Sequence, residues 1–459
     1  MIRGYAKSET PERSVQLYNE MVRAQTEHDA FTYSFVLNAC AKARFLREGE
    51  QLHGRVLSMG LCANEFVETN LVNMYAMAGG DTGVIKARKV FDTMTQRNVV
   101  TWNSMLAMYL RLGCVDEARE TFNVMPERNG VSWTTMIAGC VHSGKSRQAL
   151  ALYYQMWRAR VEVDEVTMVA TLSACAELGD LETGRWIHSY VDKTFGSTNQ
   201  LKLVSLNNAI IHMYASSGVI EEAYRVFKKM KRRSIVSWTT VITGLAKQGR
   251  GSEALDVFRS MLSVGEGERV LPDEVTFLGV LCACSHTGMV NEGRHYFRYM
   301  TQMYGIEPRI EHYGCFVDLL SRAGLLDEAY ELIGTMSLKP SEAVWGALLG
   351  GCRIHRNIKL ASYVGDNLIS ELKPNEAAMG YFTLLSNAYA SADRWVDVAN
   401  IRQKMVEMGV KKPPGHSQIQ VNGVIHYFVA GDWTHKDAYA IHEVVGEITM
   451  QTILELQFR

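Results

Sequence analysis

Cys282, Cys284 and His286 make a C-x-C-x-H run, and thiolate with imidazole at that spacing can ligate zinc. A plainer assignment covers the same residues. Cys40, Cys175, Cys284 and Cys352 stand at one register of a recurring helical pattern, where a small, soft side chain fills a contact between helices. Metal-activated water that attacks a nucleobase ring needs H-x-E followed by P-C-x-x-C, so that one His and two Cys hold the ion and the Glu moves protons. No H-x-E and no C-x-x-C occurs in the sequence. Nucleophile elbows and dinucleotide fingerprints are missing as well. The chain is therefore read as a non-enzyme with no catalytic residue, no metal and no cofactor, and its chemistry is sought in a binding surface.

That surface has to be carried by repeats. Trp102 and Trp133 lie 31 residues apart, and the VVTWNSMLAMYLRLG stretch from Val99 restarts as GVSWTTMIAGCVHSG at Gly130 and IVSWTTVITGLAKQG at Ile235. Each unit holds two apolar patterns of helical period parted by a glycine turn, at Gly113, Gly144, Gly218, Gly249 and Gly324. In the second helix an Ala, an aromatic four residues on and a Met three further share one face: Ala87/Phe91/Met94, Ala118/Phe122/Met125, Ala223/Phe227/Met230 and Ala254/Phe258/Met261. The small Ala lets the first helix approach there. The predicted fold is all-α, a right-handed α-solenoid superhelix of helix-turn-helix repeats, with a short C-terminal β-hairpin plus helix.

Composition fits this but does not reveal it. The chain is 47% hydrophobic with only 8 Pro, and a solenoid escapes the usual domain size limit because each repeat touches only its neighbours. Forty-eight basic against 49 acidic residues give a formal charge of −1, so only the distribution of charge can argue for a polyanionic partner. Nine scattered Cys point to a reducing compartment without a disulfide framework. No apolar run is long enough to span a membrane, and no membrane partner is expected. Met1 opens inside a unit, with Tyr5 in the place of Tyr75 and Tyr214, so a partial first repeat is expected over 1–29, without a transit segment ahead of it. Repeats of alternating length then fill 30–341, with a loop insertion near GSTNQ at 196–200.

VTWNSM, VSWTTMIAG, LSACAELG, NMYA, KVFDTM, VMPERN and HYGCFVDLLSRAGLLDEAYELI resemble the plant pentatricopeptide repeat (PPR) family, in its PLS class of mixed P, L and S repeats. The resemblance covers essentially the whole chain. It implies a sequence-specific, single-stranded RNA-binding protein of mitochondrion or chloroplast, the mitochondrion slightly favoured, that marks sites for C-to-U editing. The alternatives are an organellar RNA-binding protein acting in splicing, stability or translation, and a protein-binding helical-repeat scaffold. Against the scaffold stands the missing W-x-x-L-G-x-x-Y pattern of tetratricopeptide repeats.

Aligned on the first helix, seven units of ten put a basic residue two places past the Tyr position: Lys7, Lys42, Arg111, His142, Lys247, His286 and Arg322. Met77, Glu177 and Ser216 are the exceptions. Such a stripe can follow a phosphate backbone on a neutral chain, although basic residues also suit helix C-termini. The resemblance further implies base choice at the fifth and last residue of each unit. These are Ser34/Asn64, Thr69/Asn98, Asn103/Asn129, Thr134/Asp164, Asn208/Ser234 and Thr239/Asp273, all small and polar, whereas Val169 and Leu278 stand at the fifth place of two other units. Amides, hydroxyls and carboxylates can match the donors and acceptors of a Watson–Crick edge, and the same residues also cap helices. In the family's code the run from Thr69/Asn98 to Thr239/Asp273 spells A-C-G-n-Y-G, with n at the Val169 unit.

After Ser341 two further helical hairpins over 342–411 resemble the family's E motifs, and 412–459 resembles its E-plus region, truncated where a DYW deaminase domain would follow. Asn422-Gly423 between SQIQV and VIHYFV predicts a two-residue β-hairpin turn. Where the family has G-C-S-W-I, this chain has Gly415 to Ile419 reading GHSQI, with Gln418 at the aromatic place. A final helix is expected over about Ala438 to Leu456. The implied partners are single-stranded organellar RNA and a DYW-type deaminase protein acting in trans.

Overall fold

The computed structural model describes residues 1–61, 64–195, 203–263, 265, 270–371, 376–407, 415–421, 424–429 and 433–457. Two compact units divide the chain, residues 1–178 with 183–191 and residues 179–182 with 192–459. Each is an α-solenoid stack of helical hairpins. The expected insertion at 196–200 and the Asn422-Gly423 turn lie outside the described residues, as does the side chain of Gln418.

In the N-terminal unit the first helices are Ile2–Lys7, Ala30–Ala43, Glu65–Ala78, Val99–Arg111, Gly130–His142 and Glu165–Leu178. In the C-terminal unit they are Leu203–Ser216, Ile235–Lys247, Glu274–Thr287, Ile310–Arg322, Glu342–Ile354 and Glu376–Ala390. Within each unit every first helix packs on the first helices before and after it, and all but Glu165–Leu178 also pack closely on their own second helix. The expected glycine turns are present: Gly113, Gly144, Gly218, Gly249 and Gly324 all have φ between +68° and +83°, a conformation that ends the first helix without a Cβ clash. Short repeats owe their length to ten-residue second helices, Val115–Val124, Ile220–Lys229 and Leu326–Thr335.

The Ala/aromatic/Met triplets are all buried. Their aromatic member reaches beyond its own repeat. Phe91, Phe122 and Phe227 meet Trp102, Trp133 and Trp238 of the following repeat edge-to-face, at centroid separations of 4.7, 4.9 and 4.9 Å. An arginine seals each of these seams. Arg97, Arg128 and Arg233 lie over the same Phe rings, 4.8, 4.9 and 4.7 Å from the centroids, and donate to the carbonyls of Phe91, Phe122 and Phe227. The last carbonyls of a helix have no partner within it, so the guanidinium closes the second helix while covering the aromatic seam.

Beyond the repeats, helix Glu342–Ile354 packs on Ile310–Arg322, and a second hairpin, Glu376–Ala390 with Trp395–Glu407, follows. Strands His416–Val421 and Val424–Val429 then pair antiparallel, His416 opposite Val429 and Val421 opposite Val424. Helix Ala438–Gln457 comes last.

Candidate nucleic-acid interface

The first helices begin on caps, and these caps are the last residues of the preceding repeats. Asn64, Asn98, Asn129, Ser234 and Asp273 each N-cap the helix that follows. Asp164 does the same, its Oδ1 accepting from Thr167 N at 2.8 Å. The cap holds the side chain beside the fifth residue of its own repeat, which lies on the neighbouring first helix, and in four repeats the two meet. Asn98 Nδ2 donates to Thr69 Oγ1 at 3.2 Å, Asn103 Nδ2 to Asn129 Oδ1 at 3.4 Å, Thr134 Oγ1 to Asp164 Oδ1 at 3.5 Å, and Asn208 Nδ2 to Ser234 Oγ at 3.2 Å.

A third residue completes each group, and the sequence reading missed it. It is the third residue of the next repeat: Thr101, Ser132, Thr167, Ser237 and Thr276. Thr101 Oγ1 bonds both Asn98 Oδ1 (3.0 Å) and Thr69 Oγ1 (2.8 Å). Thr167 Oγ1 bridges Asp164 Oδ1 (2.6 Å) and Thr134 Oγ1 (2.6 Å). Thr239 and Asp273 are joined only in this way, through Thr276 Oγ1 at 2.9 and 2.8 Å. Ser34 instead returns its hydroxyl to Ala30 O at 2.9 Å, while Asn64 caps through Phe66 N and Val67 N. The capping-box pattern, a cap followed three residues later by a hydroxyl, was the available signal.

The bonds leave a definite remainder. Asp164 and Asp273 spend Oδ1 on the cap and the hydroxyl, so each carboxylate keeps its second oxygen as an acceptor. Asn103 Oδ1 is buried without a partner. Asn98 is the tied case, because its amide also donates to Glu65 Oε1 at 2.7 Å.

A second row was invisible as function in the sequence. The second residue of seven repeats is apolar yet exposed: Phe31 62%, Phe66 62%, Val100 62%, Val131 57%, Val166 58%, Val236 53% and Val275 47%, whereas Ser205 and Glu311 hold that place in two others. Phe31 and Phe66 of consecutive repeats stand with centroids 6.4 Å apart. An apolar residue that breaks the amphipathic pattern at the same place in seven repeats is the sign that could have found them.

All seven basic stripe residues are exposed, at the C-terminal turn of their first helices. Several also bind the carbonyls that end the previous repeat's first helix: Lys42 Nζ donates to Ala6 O at 2.8 Å, His286 Nδ1 pairs with Ala246 O at 2.9 Å, and Arg111 donates to Ala76 O. His142 pairs with its own Ala138 O at 2.8 Å, and Arg322 Nε donates to Asp318 at 2.8 Å. Arg111 and His142 line one shallow groove between their helices. Partial burial, then the charge of Arg44, holds the Arg111 guanidinium below its ordinary proton affinity, so two cations gather at that seam. The C-x-C-x-H run is splayed: Cys284 points into its hairpin, Cys282 is half-buried and His286 reaches back to Ala246. Among the described residues no group of three or more His, Cys, Asp or Glu is placed to hold a metal, and no helix is long and apolar enough to cross a membrane.

Residues 1–42, 128–177 and 233–286 match the PPR repeat family, residues 31–61, 100–130, 208–235 and 311–339 match the PPR repeat, and residues 355–420 match the E motif. Pentatricopeptide repeat-containing protein At5g56310 of Arabidopsis thaliana is 41% identical over 95% of this chain and 80% of its own length. At5g48910 of the same plant is 38% identical over 98% of this chain and 70% of its own. At1g08070, 34% identical over 99% of this chain and 73% of its own, is described as chloroplastic. Among solved structures, the pentatricopeptide repeat protein PPR10 in complex with an 18-nt psaJ RNA element aligns over 90% of this chain and 69% of its own, with a TM-score of 0.51 at 16% identity.

Proposed function

This chain belongs to the PPR repeat family, and from that premise we propose that it binds single-stranded organellar RNA by sequence and addresses a transcript for C-to-U editing, the deaminase being a separate DYW-type protein. One observation carries the reading. At the head of successive first helices, fifth, last and third residues converge on a cluster whose capping bonds leave Watson–Crick-competent groups unspent, beside an exposed apolar residue. A base lying between the second residues of consecutive repeats stacks on them, and its edge meets the polar cluster. Asp164 and Asp273 present acceptors only, suiting the N1–H and exocyclic amine of guanine. The stripe from Lys7 to Arg322 supplies charge along the phosphates through the donors its carbonyl bonds leave over.

Relatives described as chloroplastic or chloroplastic/mitochondrial support an organellar setting. The E motif match and the following β-hairpin support a docking role for the C-terminal region in editing. The RNA reading is tested by selection from random single-stranded RNA, which is expected to return A-C-G-n-Y-G; no preference for G at the Asp164 and Asp273 positions overturns it. Comparing organellar transcripts of plants with and without the protein tests editing, where an unchanged set of C-to-U sites rejects that part alone.

A further inference from the structure

Cys282 and Cys315 lie on the first helices of consecutive repeats, Glu274–Thr287 and Ile310–Arg322, with Sγ atoms 3.1 Å apart. Both are half-buried and so within reach of a small solute. The helices that carry them are already tied one turn further on, where Ser285 Oγ donates to Asp318 Oδ2 at 2.5 Å and Arg322 Nε donates to the same oxygen at 2.8 Å. Closing a bond of about 2.0 Å therefore asks for about 1 Å of sulfur movement between helices whose register is fixed. From this geometry we propose that Cys282 and Cys315 are a dithiol modification site, oxidised by low-molecular-weight disulfides to a reversible intramolecular disulfide that staples two adjacent repeats.

The chemistry selects this pair. Cys40, Cys284 and Cys352 are fully buried, and burial pushes their thiols up to about 12, about 12 and about 11. Cys282 is held below its ordinary value, first by its hydrogen bond with Cys315 and then by the nearby charges of His286 and Lys247, whereas Cys315 is raised by the same shared bond and by burial. Cys282 is thus the attacking thiolate. It attacks one sulfur of glutathione disulfide, the S–S bond breaks, and the first glutathione thiolate leaves. Cys315, giving its proton to solvent, then attacks Cys282 Sγ and expels the second. Two protein thiols are oxidised and one glutathione disulfide is reduced to two thiols, so the exchange balances. Neither spacing nor composition reveals the pair, because its members are 33 residues apart.

The test uses the full chain, dilute, incubated with glutathione disulfide, alkylated, digested and examined by mass spectrometry. The expected product is one peptide joining the Cys282 and Cys315 segments, two hydrogens lighter than their sum and restored by dithiothreitol. It is absent from C282S and from C315S and retained in C284S, which settles the ambiguity within C-x-C; far-UV circular dichroism shows that each variant is folded. Amide exchange in both helices is expected to slow on oxidation. Recovery of both thiols as separate glutathione adducts or unmodified, persistence of the joined peptide in C282S, or a disulfide-linked dimer overturns the proposal. RNA binding plays no part in this readout.

Discussion

Asp164 caps a helix with one oxygen and, on the proposed function, would read a base with the other. Its Oδ1 caps the following helix and bonds Thr167, a duty an Asn oxygen can perform equally, so Asp164→Asn is expected to leave stability nearly unchanged. The atom that changes is the other one, from an acceptor to a donor. The preferred base at that position should move from G towards A, with discrimination changing by about 1 to 3 kcal/mol if protein–DNA experience carries over, as filter binding to paired RNAs will show. Glu65 acts in the opposite sense two repeats earlier. It occupies the Asn98 amide at 2.7 Å, so a base must displace it, and its charge also opposes a phosphate chain. Glu65→Ala is expected to tighten binding by about 1 kcal/mol, with the gain shrinking as salt rises. Unchanged affinity at low salt would show that Asn98 does not meet RNA.

Between elements, the seams carry the energy. Trp133 is buried against Phe122 of the preceding repeat, and Arg128 covers that ring while closing its helix. Trp133→Ala should cost about 3 to 5 kcal/mol, read as a lower urea midpoint in the N-terminal unit. Because repeats contact only neighbours, the loss should appear first as amide exchange around 99–142 and not across the chain. The seam between helices Ile310–Arg322 and Glu342–Ile354 is closer still. A Cβ on Gly351 would stand 2.5 Å from Ser321 Cβ and 2.7 Å from its carbonyl oxygen, which is backbone and cannot swing away. Gly351→Ala is therefore expected to lift helix Glu342–Ile354 off Ile310–Arg322 at about 1 to 3 kcal/mol, with raised exchange confined to 310–371. Protection equal to that of the parent chain would mean the helices part without cost.

For the chain as a whole, address and docking should be separable. The two-stranded hairpin has both outer edges unpaired within the sheet and carries exposed Ile419 (53%) and Val421 (46%), a surface that a second protein can extend or cover. Ending the chain after Pro414 removes this hairpin and the last helix but none of the fifth and last residues. RNA affinity is expected to stay within about twofold of the full chain, about 0.4 kcal/mol, while editing in the plant is lost. Surviving editing would move the docking surface back into the hairpins of 342–407.

Much of this was written in periodicity. The 31-residue echo of Trp102 and Trp133, the Ala/aromatic/Met faces and the glycine turns determined the helical hairpin and the solenoid, because a repeat must bury its apolar faces on its neighbours wherever they recur. The polar pairs were legible as positions, since each unit places them alike. What they touch was not. That Thr101 and Thr167 close the clusters, that Glu65 occupies Asn98, and that stripe residues such as Lys42 and Arg111 also bind the preceding repeat's carbonyls depends on how far apart adjacent helices sit. The exposure of the second residues was not legible either, because a hydrophobic pattern shows which faces are apolar and not which of them a neighbour covers. Cys282 and Cys315 are the clearest case: spacing along the chain set them in separate repeats, and only the packing of one first helix on the next brought their sulfurs to 3.1 Å.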